Sequence, residues 1–141
     1  MPPTHHDDLA ATRRHEAVLP IAFATAGTAD ESPLFRAEIA ARVTAVRYIP
    51  ETAITGHGTN YATLSVVNKG ATGVGVTAVA AFTFDTPTTD DVAAMDEKAL
   101  TLETAANLVL AAGDVLAVKK EIAAAGMALD GIIIVEFAPL A

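Results

Sequence analysis

The chain has 141 residues, 52% of them hydrophobic and 18% charged, which is enough apolar material for one packed core and too much for a disordered polymer. It has no cysteine, so disulfides, thiolate zinc sites and thiol nucleophiles are excluded. The formal charge is −8, with ten acidic residues against three lysines from Asp85 onward, and Arg13, Arg14, Arg36, Arg42 and Arg47 are scattered without interleaved aromatics, so nucleic acid is a poor partner.

Only 5% of the chain is aromatic and there is no tryptophan. The apolar content is therefore mostly Ala and Val, side chains that bury little area each, and a core of this kind gains from burial shared with neighbours. No stretch approaches the 18 apolar residues of a membrane span, and no apolar run follows the first positive charges, so no membrane partner and no secretion signal are expected.

Residues 1–34 differ from the rest. They hold Pro2, Pro3, Pro20 and Pro33, three of the four histidines, and short apolar bursts without a period. This composition predicts an extended N-terminal arm that lies on a surface of this subunit or another, with Val18, Leu19, Ile21, Phe23, Leu34 and Phe35 as its assembly contacts. About 30 extended residues reach about 90 Å. Residues 35–141 form the predicted β-sandwich or barrel domain, all-β or mostly so.

Within that domain, residues 36–50 read as one long or bulged strand whose phase shifts near Val46 and which Pro50 closes. Residues 60–68 form a cleaner strand, the glycine-rich stretch 68–75 a turn, and residues 76–84 the returning partner of a hairpin. From Thr88 to Gly126 the Ala, Leu, Glu and Lys content favours helix by propensity, and residues 90–97 suit one short helix with an acidic cap. Residues 98–103 and 107–110 nevertheless alternate, Gly113-Asp114 turns into a strand over 115–122, and residues 132–137 are dense in β-branched side chains. Short strands at this spacing indicate a compact antiparallel sandwich.

Several groups invite a chemical reading. His5, His6, Asp7, Asp8 and His15 have the donor types for a metal but no scaffold to fix them. His57 between Gly56 and Gly58 lacks a nucleophile motif around either serine, Ser32 or Ser65. Residues 70–75 lack the lysine-serine ending and the following helix of a phosphate loop. Asp90-Asp91 and Asp96-Glu97 pair carboxylates as glycosidases do, but adjacent acids point apart and no sugar-stacking aromatics accompany them. No catalytic residue, metal or cofactor is expected.

The block over residues 54–56 and 59–70, ITG followed by TNYATLSVVNKG, resembles one in small virion proteins of tailed phages of actinobacteria, and residues 96–102 and 111–116 are similar to the same group. The resemblance covers about residues 35–137. It implies a capsid decoration protein, a minor capsid or cement protein that is made in the host cytoplasm, assembles as homo-oligomers, often trimers, and coats the outside of the mature head. There it clamps the major capsid protein. It also tips residues 88–126 toward strands. A tail or fibre adaptor that binds the host is the alternative within virion proteins, and a small glycan-binding module or hydrolase the alternative of another class.

Overall fold

Alternating burial along the first strand, with Ile21 and Phe23 inward and Val18, Pro20 and Ala22 outward, sets the pattern for the computed structural model, which describes residues 15–140. The strands are β1 (His15–Phe23), β2 (Asp30–Arg36), β3 (Ala41–Pro50), β4 (Ala62–Asn68), β5 (Thr77–Thr83), β6 (Lys98–Ala99), β7 (Thr101–Leu102), β8 (Val109–Leu110), β9 (Val115–Ile122) and β10 (Leu129–Pro139). They form two antiparallel sheets. One runs β1-β10-β3-β6 with β8 also on β3, and the other runs β2-β9-β4-β5-β7. The fold is an all-β sandwich curled toward a barrel.

Its two sides differ. On one, the stretch Lys98–Leu102 pairs first with β3 and then with β5, and the buried Leu100 between them carries the chain from one sheet to the other. That side is closed. On the other, β1 and β2 are the free edges, and each carries one exposed proline, Pro20 and Pro33. A proline offers no N–H to a further strand, which blunts an edge against pairing.

The core lies between the sheets and includes Tyr48, Phe84, Leu64, Leu110, Leu116 and Ile133, all inaccessible to solvent. Burying a side chain of that size contributes about 1.5 to 3 kcal/mol. Tyr48 meets Phe84 edge-on at 6.3 Å, and its hydroxyl donates to the Asp130 carbonyl at 2.6 Å, so the one polar atom it buries is satisfied. In β3 the register passes from Ala45 opposite Glu136 to Val43 opposite Phe137, which leaves Thr44 as an extra residue. The bulge is the phase shift read near Val46.

Three expectations need correction. Residues 15–34 are not an arm: β1 and most of β2 are outer strands of the two sheets, with Ile21, Phe23 and Leu34 buried in the core between them. Residues 1–14, the remainder of the expected arm, lie outside the described residues. There is no helix over 90–97, where Val92 instead makes a two-bond bridge to Ile54 and a turn follows; propensity yields to that pairing, and the helical element among the described residues is a 3-10 turn, Ala105–Leu108. The single strand expected over 36–50 breaks at 37–40, where Ala37 turns to bond Asp114.

Lys120 is the costliest side chain in this interior. It is fully buried, and its ammonium donates to three carbonyl oxygens, Thr25 at 2.7 Å and Phe23 and Met127 at 3.2 Å. Phe23 ends β1, Thr25 lies in the β1–β2 connection and Met127 in the β9–β10 connection, so one cation ties the end of β1 and its loop to the second loop. Burial pulls its pKa below the ordinary lysine range, and the charge of Asp30 opposes that pull. Lys120→Met keeps the volume but removes all three ammonium bonds, leaving Thr25 O with the Thr28 N–H alone at 3.3 Å, and we expect a loss of about 2 to 5 kcal/mol in urea unfolding. The unfolded chain binds the Lys120 proton more readily than the folded one. Stability therefore rises with pH between the lowered value and the ordinary lysine range, and the difference between wild type and Lys120→Met should widen there. A difference that is flat with pH would contradict this.

Candidate assembly surface

Hydrophobic side chains that no strand pairing can bury collect at one end of the sandwich. Among the described residues the exposed large apolar side chains are Val18, Ile39, Val74, Val76, Met95, Val109 and Leu140. Five of these seven, all but Val18 and Met95, lie where the β2–β3 turn, the β4–β5 hairpin and β8 meet. Backbone bonds tie these segments together: Ala37 N to Asp114 O and Gly113 N to Ala37 O, each at 2.7 Å, Lys69 N to Val115 O at 2.7 Å, and Leu140 N to Ala40 O at 3.0 Å.

The loops are held in shape by polar groups beneath them. The Asp114 carboxylate accepts from Asn68 Nδ2 and Ala111 N, both at 2.9 Å, while Asn68 Oδ1 accepts from Gly70 N at 2.8 Å. Gly70 and Gly73 take φ of 69° and 82°, a region that favours glycine and lets the hairpin reverse. Val74 and Val76 then stand 80% and 81% exposed on a loop whose base is fixed.

Beside this loop lies a cleft of about 250 Å³ between His15, Phe35, Phe137 and Ile39. Its wall is a stack of rings, His15 on Phe137 at 5.6 Å and Phe35 on Phe137 at 5.2 Å. Its rim carries one charge of each sign, Arg36 and Glu38, paired at 3.0 Å and both exposed. The opposite end of the sandwich is acidic, with Asp30, Glu51, Asp85, Asp91, Asp96 and Asp130 on or beside the strand ends and loops there.

Of the six residues expected as assembly contacts, Ile21, Phe23 and Leu34 belong to the chain's own core, Leu19 and Phe35 pack partly buried against it, and Val18 alone is exposed, at 50%. Sequence reasoning missed Ile39, Val74 and Val76. The available signal was valine set between glycines at 73–76, a place where a loop gains nothing from an apolar side chain unless something covers it.

The chemical candidates are taken up by structure. His57 Nδ1 accepts from Thr59 N at 3.1 Å and Asn60 N at 2.9 Å, which makes the ring a cap for its own turn. Asp90, buried, accepts from Thr86 N at 2.7 Å, and Asp91 accepts from Gly56 N at 2.9 Å, where a Cβ would run into the Thr86 carbonyl. Asp96 accepts from Glu97 N, and Glu97 pairs with Arg47 at 3.0 Å. Residues 70–75 are the hairpin loop, and Ser65 is buried in β4. His5, His6, Asp7 and Asp8 lie outside the described residues, and among those described no group of three or more His, Asp or Glu is placed to hold a metal. Asp90→Ala removes a charge-assisted bond to a part-buried N–H, and should cost about 1.5 to 3 kcal/mol by urea titration; a change inside about 0.5 kcal/mol would show that the bond does not anchor the loop.

The chain matches no family model, and neither a curated protein nor a solved structure matches it significantly.

Proposed function

We propose that this chain is a non-enzymatic capsid decoration protein of a tailed bacteriophage, which binds the outside of the mature head and clamps neighbouring copies of the major capsid protein. The observation that carries the reading is the division of the molecule into an apolar end and an acidic end. A protein that coats a particle needs one end that adheres and another that keeps the coated particle soluble. Exposed Ile39, Val74, Val76, Val109 and Leu140 suit the first task. The acidic end suits the second, since charge of one sign keeps particles apart.

The resemblance of residues 54–56, 59–70, 96–102 and 111–116 to small virion proteins adds its weight. Those residues form the loop beneath Asp91, strand β4 with its hairpin base, and the turn of Asp114 that holds the apolar end. The fold also suits mechanical duty. A sandwich of paired strands resists distortion, and binding to a shell stabilises shell and protein together by mass action.

Particles assembled without the protein should lose infectivity at lower temperature and after milder osmotic shock than complete ones, and adding back the purified chain should restore them. Equal resistance of the two particle types removes support for clamping. Label that covers the head as a lattice agrees with the proposal, whereas label confined to the tail or to one vertex transfers the protein to the tail-adaptor reading.

A further inference from the structure

We infer that the outer face of the β1-β10-β3-β6 sheet is a docking surface for an amphipathic helix of a partner protein, one that carries an apolar stripe with Lys or Arg along both flanks. This face shares no side chain with the apolar end and does not depend on where the protein sits on a particle. The two outer faces of the sandwich are built differently. Across β9, β4 and β5 the registers set Lys119 beside Ser65 and Ala81, and Glu121 beside Thr63 and Thr83, small or polar side chains that suit water. Across β1, β10 and β3 they set two neighbouring apolar rows, Val18 beside Ile134, and Pro20 beside Ile132 and Ile49. None of these five is buried, so the chain's own fold leaves them uncovered.

Val18 and Met95, the two exposed large apolar side chains that the apolar end does not include, both belong to this face. Met95 walls a groove of about 380 Å³ with Pro20, Ile49, Pro50 and Ile132. Its N–H donates to Pro50 O at 2.9 Å and its φ is 65°, so the side chain stands 71% exposed on a fixed base. A flexible thioether at that place adapts to a partner's side chains.

Charge selects the occupant. The pair in register beyond the Val18 row is Glu16 and Glu136, and beyond the Pro20 row come Asp130 and, on the groove, Glu51. Among the described residues Arg47 is the cation of this face, and it is already held by Glu97 at 3.0 Å and Glu136 at 2.6 Å; Lys98 turns away onto the Phe82 ring. Carboxylates therefore outnumber cations at the borders, which repels an acidic partner and disfavours a second copy bringing the same acids. Six residues separate Glu136 from Asp130 on β10, about 20 Å at about 3.3 Å each. A helix about 10 Å across covers the apolar rows between them, and Lys or Arg stems on its flanks reach both borders. The four strands, about 4.8 Å apart, give it about 14 Å to cross, or about ten residues.

The test is fluorescence anisotropy of a labelled synthetic helix of about 15 residues, a leucine stripe flanked by lysines, titrated with the full chain to about 500 µM. Two further peptides carry the same residues scrambled, or glutamate in place of lysine. Val18→Thr with Met95→Asn removes apolar contact but keeps a β-branched residue in the strand and one that tolerates positive φ in the turn. Glu16→Gln with Glu51→Gln lowers the charge of both borders, and Val74→Ser with Val76→Ser alters the apolar end as a control. All six positions are exposed, so melting should stay at the wild-type value; if the first variant melts early, Met95→Asn alone replaces it. The lysine-flanked helix should bind wild type, and less tightly as salt rises. Each variant of the face should bind it at least about fivefold more weakly, the control should match wild type, and the other two peptides should bind at least about tenfold more weakly. Absence of binding, equal binding of the three peptides, or a loss confined to the Val74–Val76 variant overturns the inference. So does a wild type that sediments above the 14.5 kDa of one chain and that Val18→Thr with Met95→Asn returns to monomer, since the face then belongs to a second copy. Shell binding through the other end is read separately by the particle experiments.

Discussion

The ammonium of Lys120 and the three carbonyls around it fix one end of this sandwich, and much of the rest depends on that end being fixed. A charge taken wholly out of water costs several kcal/mol unless its hydrogen bonds are replaced. Here Phe23, Thr25 and Met127 replace them, and in doing so they fasten the end of β1 and the β1–β2 connection to the β9–β10 connection. The Tyr48 hydroxyl on Asp130 O, Asp130 on Thr52 and the Asp90 and Asp91 carboxylates on backbone N–H groups continue the same strategy nearby. This end is closed by polar bonds made within the chain. The other end spends its polar groups lower down, on Asp114 and Asn68, and leaves Ile39, Val74 and Val76 uncovered.

That difference explains what the sequence made legible. Period-two alternation exposed the sheets well, since one face of β4, β5, β9 and β10 had to be apolar for any sandwich to form. It failed where polarity within one segment serves two masters. Residues 15–23 mix proline, alanine and large apolar side chains, and read as an arm because their apolar bursts show no period among the prolines and histidines around them. In the fold Pro20 is harmless, since β1 is an edge and its proline sits on the outer face. Residues 90–97 have helix-forming composition, but Asp90 and Asp91 are already committed as backbone acceptors for Thr86 and Gly56, which no helical turn could provide.

The burial of Lys120 was legible in the sequence only through the phase of its strand. It lies beside half-buried Lys119 and exposed Glu121, which pair with each other at 3.1 Å, and nothing in the run VLAVKKEI distinguishes the inward lysine except its phase. Counting that phase from Leu116 and Val118 does place residue 120 inward. The usual habit of reading every lysine as solvated overrides the count. The same habit hid the apolar end in reverse, because valines in a glycine-rich loop are passed over as turn filler.

The free edges decide how such a molecule can join others. β1 and β2 lie side by side on the open side of the sandwich, and unblunted they would invite strand addition and continuous sheets. Pro20 and Pro33 each remove a donor near the middle of an edge, and Glu16 and Glu31 place acids on those strands. Lateral growth is thereby disfavoured in both sheets. Most of the exposed large apolar side chains lie instead on the loops at one end, among them Ile39, Val74 and Val76. Edges that extend without limit give aggregates, whereas end contacts of fixed shape close on themselves or stop at a surface.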